Sequence, residues 1–217
     1  MNRRDCIASA LLACAAWACS GAAVAQPAAG KPATILVVGD SISAEYGLAR
    51  GTGWVALLQK QIADGKINAK VVNASVSGDT TSGGRSRLPA LLKQNQPTHV
   101  ILELGANDAL RGLPLKNTED NLSWMIEQSQ QAGAKVLLLG MQVPPNYGAK
   151  YTGEFAEMFT TVAKKYKTAL VPFLLKGVAD DPDPTRLFQA DRNHPNAQAQ
   201  PILLGNVWQA LKPLLAR

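Results

Sequence analysis

The stretch Thr34 to Ser43, TILVVGDSIS, constrains this chain more than any other. An unbroken apolar run rich in β-branched residues, Ile35 to Val38, stops at Gly39 and is followed at once by Asp40 and Ser41. A run without polar alternation suits a strand covered on both faces. Such a strand delivers Ser41 to the C-terminal edge of a sheet, where open α/β sheets bind their ligands. Ser41 reads equally as the N-cap of a following helix, so the rest of the chain has to decide.

Downstream, short apolar runs alternate with segments of helical spacing. Trp54, Val55, Leu58 and Ile62 share one helical face that ends near Asp64-Gly65. Lys70 to Ala74 predicts a second strand, and the polar loop Ser75 to Gly84 leads to a helix from about Arg85 to Gln94. His99 to Leu104 predicts a third strand, ending in Gly105-Ala106-Asn107-Asp108. A helix is expected from about Thr118 to Ala132, capped by Asn117 or Thr118. Val136 to Leu139 predicts a fourth strand, and Phe155, Phe159, Val162 and Tyr166 mark the next helix. Ala169 to Phe173 is a fifth, shorter strand whose proline marks a strand end or a sheet edge. A Pro/Asp-rich loop and DRNHPN then precede a last helix carrying Ile202, Leu203, Val207 and Leu211. This alternation predicts an α/β protein with a five-stranded, mainly parallel sheet covered by helices on both faces.

The N-terminus reads differently. Arg3 and Arg4 precede an apolar segment that closes on Ala23-Val24-Ala25, the layout of a secretory signal peptide cut after Ala25. The segment falls short of the roughly 20 continuous apolar residues of a membrane span. Residues 1–25 are therefore read as a removed signal, 26–33 as an Ala/Pro/Gly linker and 34–217 as one domain, periplasmic or secreted. Cys6, Cys14 and Cys19 all lie in the removed part, which excludes disulfide and cysteine-metal chemistry from the mature chain. The formal charge of +6 is spread without a basic cluster. That balance excludes a nucleic-acid footprint and allows at most peripheral contact with anionic membranes.

Polar motifs directly after the first three strands, and a fourth before the last helix, converge on one sheet edge in such a fold. They bring together Ser41, Gly78, Asn107, Asp191 and His194. A serine hydroxyl needs a general base within hydrogen-bond reach. Of the two histidines, His99 begins a strand at the opposite end of the sheet and is read as structural, which leaves His194. Asp191, three positions earlier, can orient the imidazole and stabilise its cation; it can equally brace a turn. Donors for a developing oxyanion would be the Ser41 and Gly78 N–H groups and the Asn107 amide. Asp79 and Asp108 are read as loop-bracing groups. Two distant histidines and no remaining cysteine leave no ligand set for zinc, and no G-x-S-x-G elbow occurs.

These motifs resemble those of the SGNH (GDSL-type) hydrolases. Over nearly the whole mature length, the chain is similar to the bacterial periplasmic branch containing thioesterase I/lysophospholipase and related arylesterases. The resemblance is carried by GDSISAEYG (39–47), SVSGDTTSGG (75–84), ELGANDALRG (103–112), QVPPNYG (142–148) and DRNHPN (191–196). It implies Ser41 as nucleophile, Asp191 and His194 as its partners, Gly78 and Asn107 as oxyanion-hole residues, and a three-layer flavodoxin-like fold without metal or organic cofactor. The chain departs from the branch at Arg192-Asn193, where a glycine and an apolar residue are common.

A secreted serine esterase acting on acyl or aryl esters, thioesters or lysophospholipids through an acyl-enzyme is the expectation. A carbohydrate O-deacetylase or acyltransferase with the same triad, and a non-catalytic lipid-binding module, are the alternatives. The loops carrying Leu110, Leu113, Pro145 and Tyr147 are expected to wall the substrate site. A monomer is expected.

Overall fold

The computed structural model describes residues 32–183 and 185–216. Residues 1–25, read above as a signal peptide, with their three cysteines and most of the expected linker, lie outside the described residues.

Five strands form one sheet: β1 (Ala33–Gly39), β2 (Ala69–Asn73), β3 (His99–Glu103), β4 (Lys135–Leu139) and β5 (Ala169–Val171). Their order is β2-β1-β3-β4-β5, and all four pairings are parallel. Six helices connect and cover them: α1 (Trp54–Asp64), α2 (Thr81–Asn95), α3 (Ala106–Leu110), α4 (Leu115–Gln131), α5 (Ala149–Tyr166) and α6 (Gln200–Leu215). The helix α1 packs against α6 on one face, while α2, α4 and α5 pack together on the other. The result is a three-layer α/β/α domain.

The apolar runs form strands because both of their faces are covered. Ile35, Leu36, Val37 and Val38 are fully buried, as are Val100, Ile101 and Leu102 beside them. Trp54, Leu58 and Ile62 fill one layer, and Phe155 meets Phe159 edge-to-face at 5.2 Å in the other. Each such side chain contributes about 1.5–3 kcal/mol by leaving water. Phe159→Ala would therefore cost about 3–5 kcal/mol.

Three boundaries differ from expectation. The helix α2 starts at Thr81, not Arg85, because the Thr80 hydroxyl accepts the Gly83 N–H and caps it there. The helix α4 starts at Leu115 after Pro114, and the Thr118 hydroxyl donates to Asp108 instead of capping. The strand β5 ends at Val171, since Pro172 has no N–H to continue the ladder. The short α3 was not foreseen. It turns Asn107 from an expected loop residue into a helical one.

The chain runs from β1 outward to β2, then crosses back to β3 on the other side of β1. The reversal opens a crevice between the C-terminal ends of β1 and β3. Ser41 follows β1 there, and Asn107 follows β3.

Candidate active site

Ser41 leaves β1 in a tight turn in which the Ala44 N–H donates to the Asp40 carbonyl and the Tyr46 N–H to that of Ser41. The Ser41 hydroxyl donates to His194 Nε2 at 2.9 Å. On the far side of the ring, His194 Nδ1–H donates to Asp191 Oδ2 at 2.7 Å, which sets the tautomer needed for Nε2 to accept. The Tyr46 ring lies against the imidazole, with centroids 4.5 Å apart.

The loop holding Asp191 and His194 is fixed by its own backbone. Asp191 Oδ1 accepts the N–H groups of Asn193 and His194, each at 3.0 Å. Phe188 pairs with Pro195 in an isolated antiparallel bridge, and the Asn196 side chain donates to the carbonyls of Arg186 and Phe188. Arg192 takes a left-handed φ of +56°, a conformation that favours glycine. This is one of the two positions where the chain departs from the related branch.

The Asn193 N–H, then the His194 N–H, hold the Asp191 carboxyl down to about pKa 2, so it is ionised at neutral pH. The Asp191 side chain is 40% exposed against 17% for His194. Solvent therefore screens this pair on one side.

Across the crevice, Gly78 sits in a turn with φ +77°, its carbonyl accepting from Arg111 at 2.8 Å. Among the described residues, nothing accepts the backbone N–H of Ser41 or of Gly78. The Asn107 amide is different: Nδ2 donates to Asp40 Oδ2 at 3.1 Å and to the Asp79 carbonyl at 2.9 Å. The acids Asp79 and Asp108 brace loops. Asp79 pairs with Arg87 at 2.8 Å, and Asp108 accepts from Thr81 and Thr118. His99 is buried at the other end of the sheet, its Nε2 bonded to the Leu214 carbonyl. Burial lowers its pKa.

A cavity of about 310 Å³ opens beside Arg192 and Asn193, the two residues between Asp191 and His194, although none of the converging residues themselves lines it. It is walled by Val143, Pro144, Phe173, Leu175, Ala179 and Phe188, with Gln142, Asp180, Arg192 and Asn193 supplying polar groups. A wider cleft of about 480 Å³ lies between α4 and α5, rimmed by Glu119, Glu154 and Lys116, and contains none of the converging residues. Leu110 and Tyr147 are exposed on neighbouring loops, and Leu113 borders a polar cleft with Arg85 and Asn121. None of the three lines the 310 Å³ cavity; Pro145 opens the short 3-10 turn that ends at Tyr147. Among the described residues, no three His, Cys, Asp or Glu side chains group as a metal ion would require.

Several contributors escaped the sequence reading. Arg87 donates to the carbonyls of Gly39 and Ala74 and to Asp79, tying the ends of β1 and β2 to the Gly78 loop. Gln189 bridges the Ser41 and His194 loops. Glu103 lies under the crevice; its signal was a charged residue closing an otherwise apolar strand.

Comparison with known proteins places this arrangement in context. The GDSL-like lipase/acylhydrolase family matches residues 37–201. The chain is 54% identical to esterase TesA of Pseudomonas aeruginosa over 182 residues, 84% of this chain and 89% of the relative. It is 40% identical to the thioesterase 1/protease 1/lysophospholipase L1 of Escherichia coli K12, over 84% of this chain and 85% of that protein. The crystal structure of the psychrotrophic esterase EstA from Pseudoalteromonas sp., inhibited by monoethylphosphonate, superposes with a TM-score of 0.79 at 41% identity, covering 85% of this chain and 99% of that one.

Proposed function

Because the chain belongs to the GDSL-like lipase/acylhydrolase family and is a serine ester hydrolase, we propose that Ser41, His194 and Asp191 are its catalytic triad. The observation that carries this reading is the continuous hydrogen-bonded path from Ser41 Oγ through both imidazole nitrogens to Asp191. Ser41 Oγ attacks the ester carbonyl as His194 Nε2 takes its proton, and the ionised Asp191 stabilises the imidazolium. His194 then returns the proton to the leaving alcohol or thiol, giving an acyl-enzyme that water hydrolyses by the same steps in reverse. Inhibition of EstA by a phosphonate, a tetrahedral phosphorus compound, supports a covalent serine route here.

The developing oxyanion is received first by the Ser41 and Gly78 N–H groups, which have no other acceptor among the described residues. Asn107 contributes by sharing the N–H it now gives to the Asp79 carbonyl. One such donor is worth about 3–4 kcal/mol in the transition state.

The substrates proposed are acyl or aryl esters, with thioesters and lysophospholipids in the same class. The 310 Å³ cavity, with Val143, Phe173, Leu175 and Phe188 on its walls and Arg192 and Asn193 of the loop that leads into His194 at its edge, takes the apolar arm of the ester. Its volume is at the lower end for small-molecule sites, which suits a single acyl or aryl group. Export to the periplasm or medium after removal of residues 1–25 is part of the proposal, and N-terminal sequencing of the mature protein tests it.

Ser41→Ala should abolish p-nitrophenyl ester turnover in a folded protein, and turnover at the wild-type rate would rule the triad out. A chain-length series of acyl esters and acyl-CoAs on the mature protein then decides the substrate class.

A further inference from the structure

Two carboxyls closest to the nucleophile have no part in the steps above: Asp40 and Glu103. Each is 1% exposed. Gly39 and Glu103 face each other as the last residues of β1 and β3. A Cβ on Gly39 would stand 2.7 Å from Glu103 Oε2, so the missing side chain is what lets the glutamate fold over the end of β1. There its Oε2 accepts the Asp40 N–H at 3.2 Å and the Ser43 hydroxyl at 2.8 Å. The Asp40 carboxyl accepts the Ile42 N–H at 3.0 Å on Oδ1 and the Asn107 amide at 3.1 Å on Oδ2. The bond from the Asp40 N–H to Glu103 Oε2 sets the two buried carboxyls side by side at the end of β1.

Two neighbouring carboxyls out of water do not both ionise readily. Burial raises Asp40 to about 6. It raises Glu103 well above the usual carboxylate range, with repulsion from Asp40 adding to the effect. The groups facing Asp40 from elsewhere are His194, which favours its ionised form, and Asp79, which opposes it. Arg87 bonds to Asp79 and to the Gly39 carbonyl beneath.

We propose that Asp40 and Glu103 act as one carboxyl pair sharing a single proton, and that the pair positions the catalytic groups: Asp40 orients the Asn107 amide and braces the turn that presents Ser41. The proton resides on Glu103, and Asp40 is the ionised member. When Asp40 takes up a second proton in mild acid, the anion that holds Asn107 is lost. The acidic limb of the rate profile therefore contains this protonation. The proposal rests on Ser41 being the nucleophile and Asn107 an oxyanion donor.

Two variants separate the parts. Glu103→Gln reproduces the shape and the donor of a protonated glutamic acid. Asp40→Asn leaves one oxygen for two donors, the Ile42 N–H and the Asn107 amide. We would measure kcat and KM with p-nitrophenyl butyrate from about pH 5 to about pH 9, alongside burst labelling by a fluorophosphonate and thermal melting.

E103Q should keep near-wild-type kcat in mild base with its acidic inflection little moved, because a neutral amide stands where the neutral acid stood. D40N should lose roughly 10–100-fold in kcat with KM little changed, and should lack the Asp40-linked inflection. The wild type should also show a protonated-carboxyl C=O stretch in the infrared at neutral pH that E103Q removes, a result independent of whether D40N folds. Wild-type kcat and pH profile in D40N, an E103Q as impaired as D40N, or no such infrared band would each overturn the pair. Absence of fluorophosphonate labelling in the wild type would instead bring down the nucleophile assignment, and the proposal with it.

Discussion

The Gln189 side-chain amide donates to the Tyr46 carbonyl at 2.8 Å, while the Gln189 backbone N–H donates to the His194 carbonyl at the same distance. One residue thus joins the loop that carries Ser41 to the loop that carries His194. The relationship explains a glycine as well. Gly47, with φ +69°, leaves open the space that the Gln189 amide fills, and a Cβ there would stand 1.9 Å from Gln189 Oε1.

Gly47→Ala should therefore push Gln189 out of its bridge and strain a left-handed turn. A loss of about 1–3 kcal/mol in stability is expected, with kcat/KM lower by up to roughly 100-fold as the Ser41 to His194 distance opens. Gln189→Ala should be milder, because its backbone bond to His194 survives. Denaturant melts and ester kinetics on both variants check the order.

Stability should depend on pH in two opposite ways. Asp191 falls from 3.8 when unfolded to about 2 when folded. Its contribution is present above pH 3.8 and is lost as pH drops through about 2; partial exposure keeps it small. Asp40 rises from 3.8 to about 6. Its contribution is full below 3.8 and is lost as pH climbs through about 6. Thermal melts should show Asp40→Asn flattening the decline between those two values, and Asp191→Asn removing part of the acid-side drop. Identical curves for wild type and D40N would contradict the burial of that carboxyl.

If the cavity beside Arg192 and Asn193 holds the apolar arm, filling it should shorten the preferred chain. Ala179→Phe should leave acetyl ester turnover close to wild type and reduce kcat/KM for longer acyl esters. Excluding two methylenes, at about 0.8 kcal/mol each, corresponds to roughly a 15-fold loss. A parallel fall across all chain lengths would place the acyl group elsewhere.

Arg87 has a side chain 23% exposed and pairs with Asp79, which is 12% exposed. Arg87→Met would leave that carboxylate without its cation and take a side-chain donor from the Ala74 carbonyl, while the Gly39 carbonyl keeps the Val76 N–H. A cost of about 3 kcal/mol is expected from leaving a partly buried charge unpaired, together with a lower kcat because the Gly78 and Ser41 loops lose a shared anchor. Urea unfolding and kcat measured at a temperature where the variant is folded separate the two effects.

How much of this was legible beforehand follows from what each feature depends on. Apolar runs such as Ile35 to Val38 and Val136 to Leu139 announce strands because a doubly covered strand must be apolar throughout, whatever its neighbours. The convergence of the Ser41, Gly78, Asn107 and Asp191-His194 motifs was readable because each follows a strand or precedes the last helix. Helix starts were less readable. Thr118 has the chemistry of a cap, but its hydroxyl is claimed by Asp108, a contact that exists only once α3 and α4 are packed. The cavity walls Phe173, Leu175, Ala179 and Phe188 carry no local pattern that sets them apart from ordinary core residues.

The amino-acid order by itself determined the α/β class, the strand sequence and the residue types able to supply a nucleophile, a base and an acid, since these depend on periodicity and on side-chain chemistry that travel with the chain. Only the tertiary structure decided which donors are free, that the Asp40 N–H meets Glu103, and that Gln189 spans two loops. Those are distances between residues remote in sequence, set by how layers pack, and no local propensity encodes them.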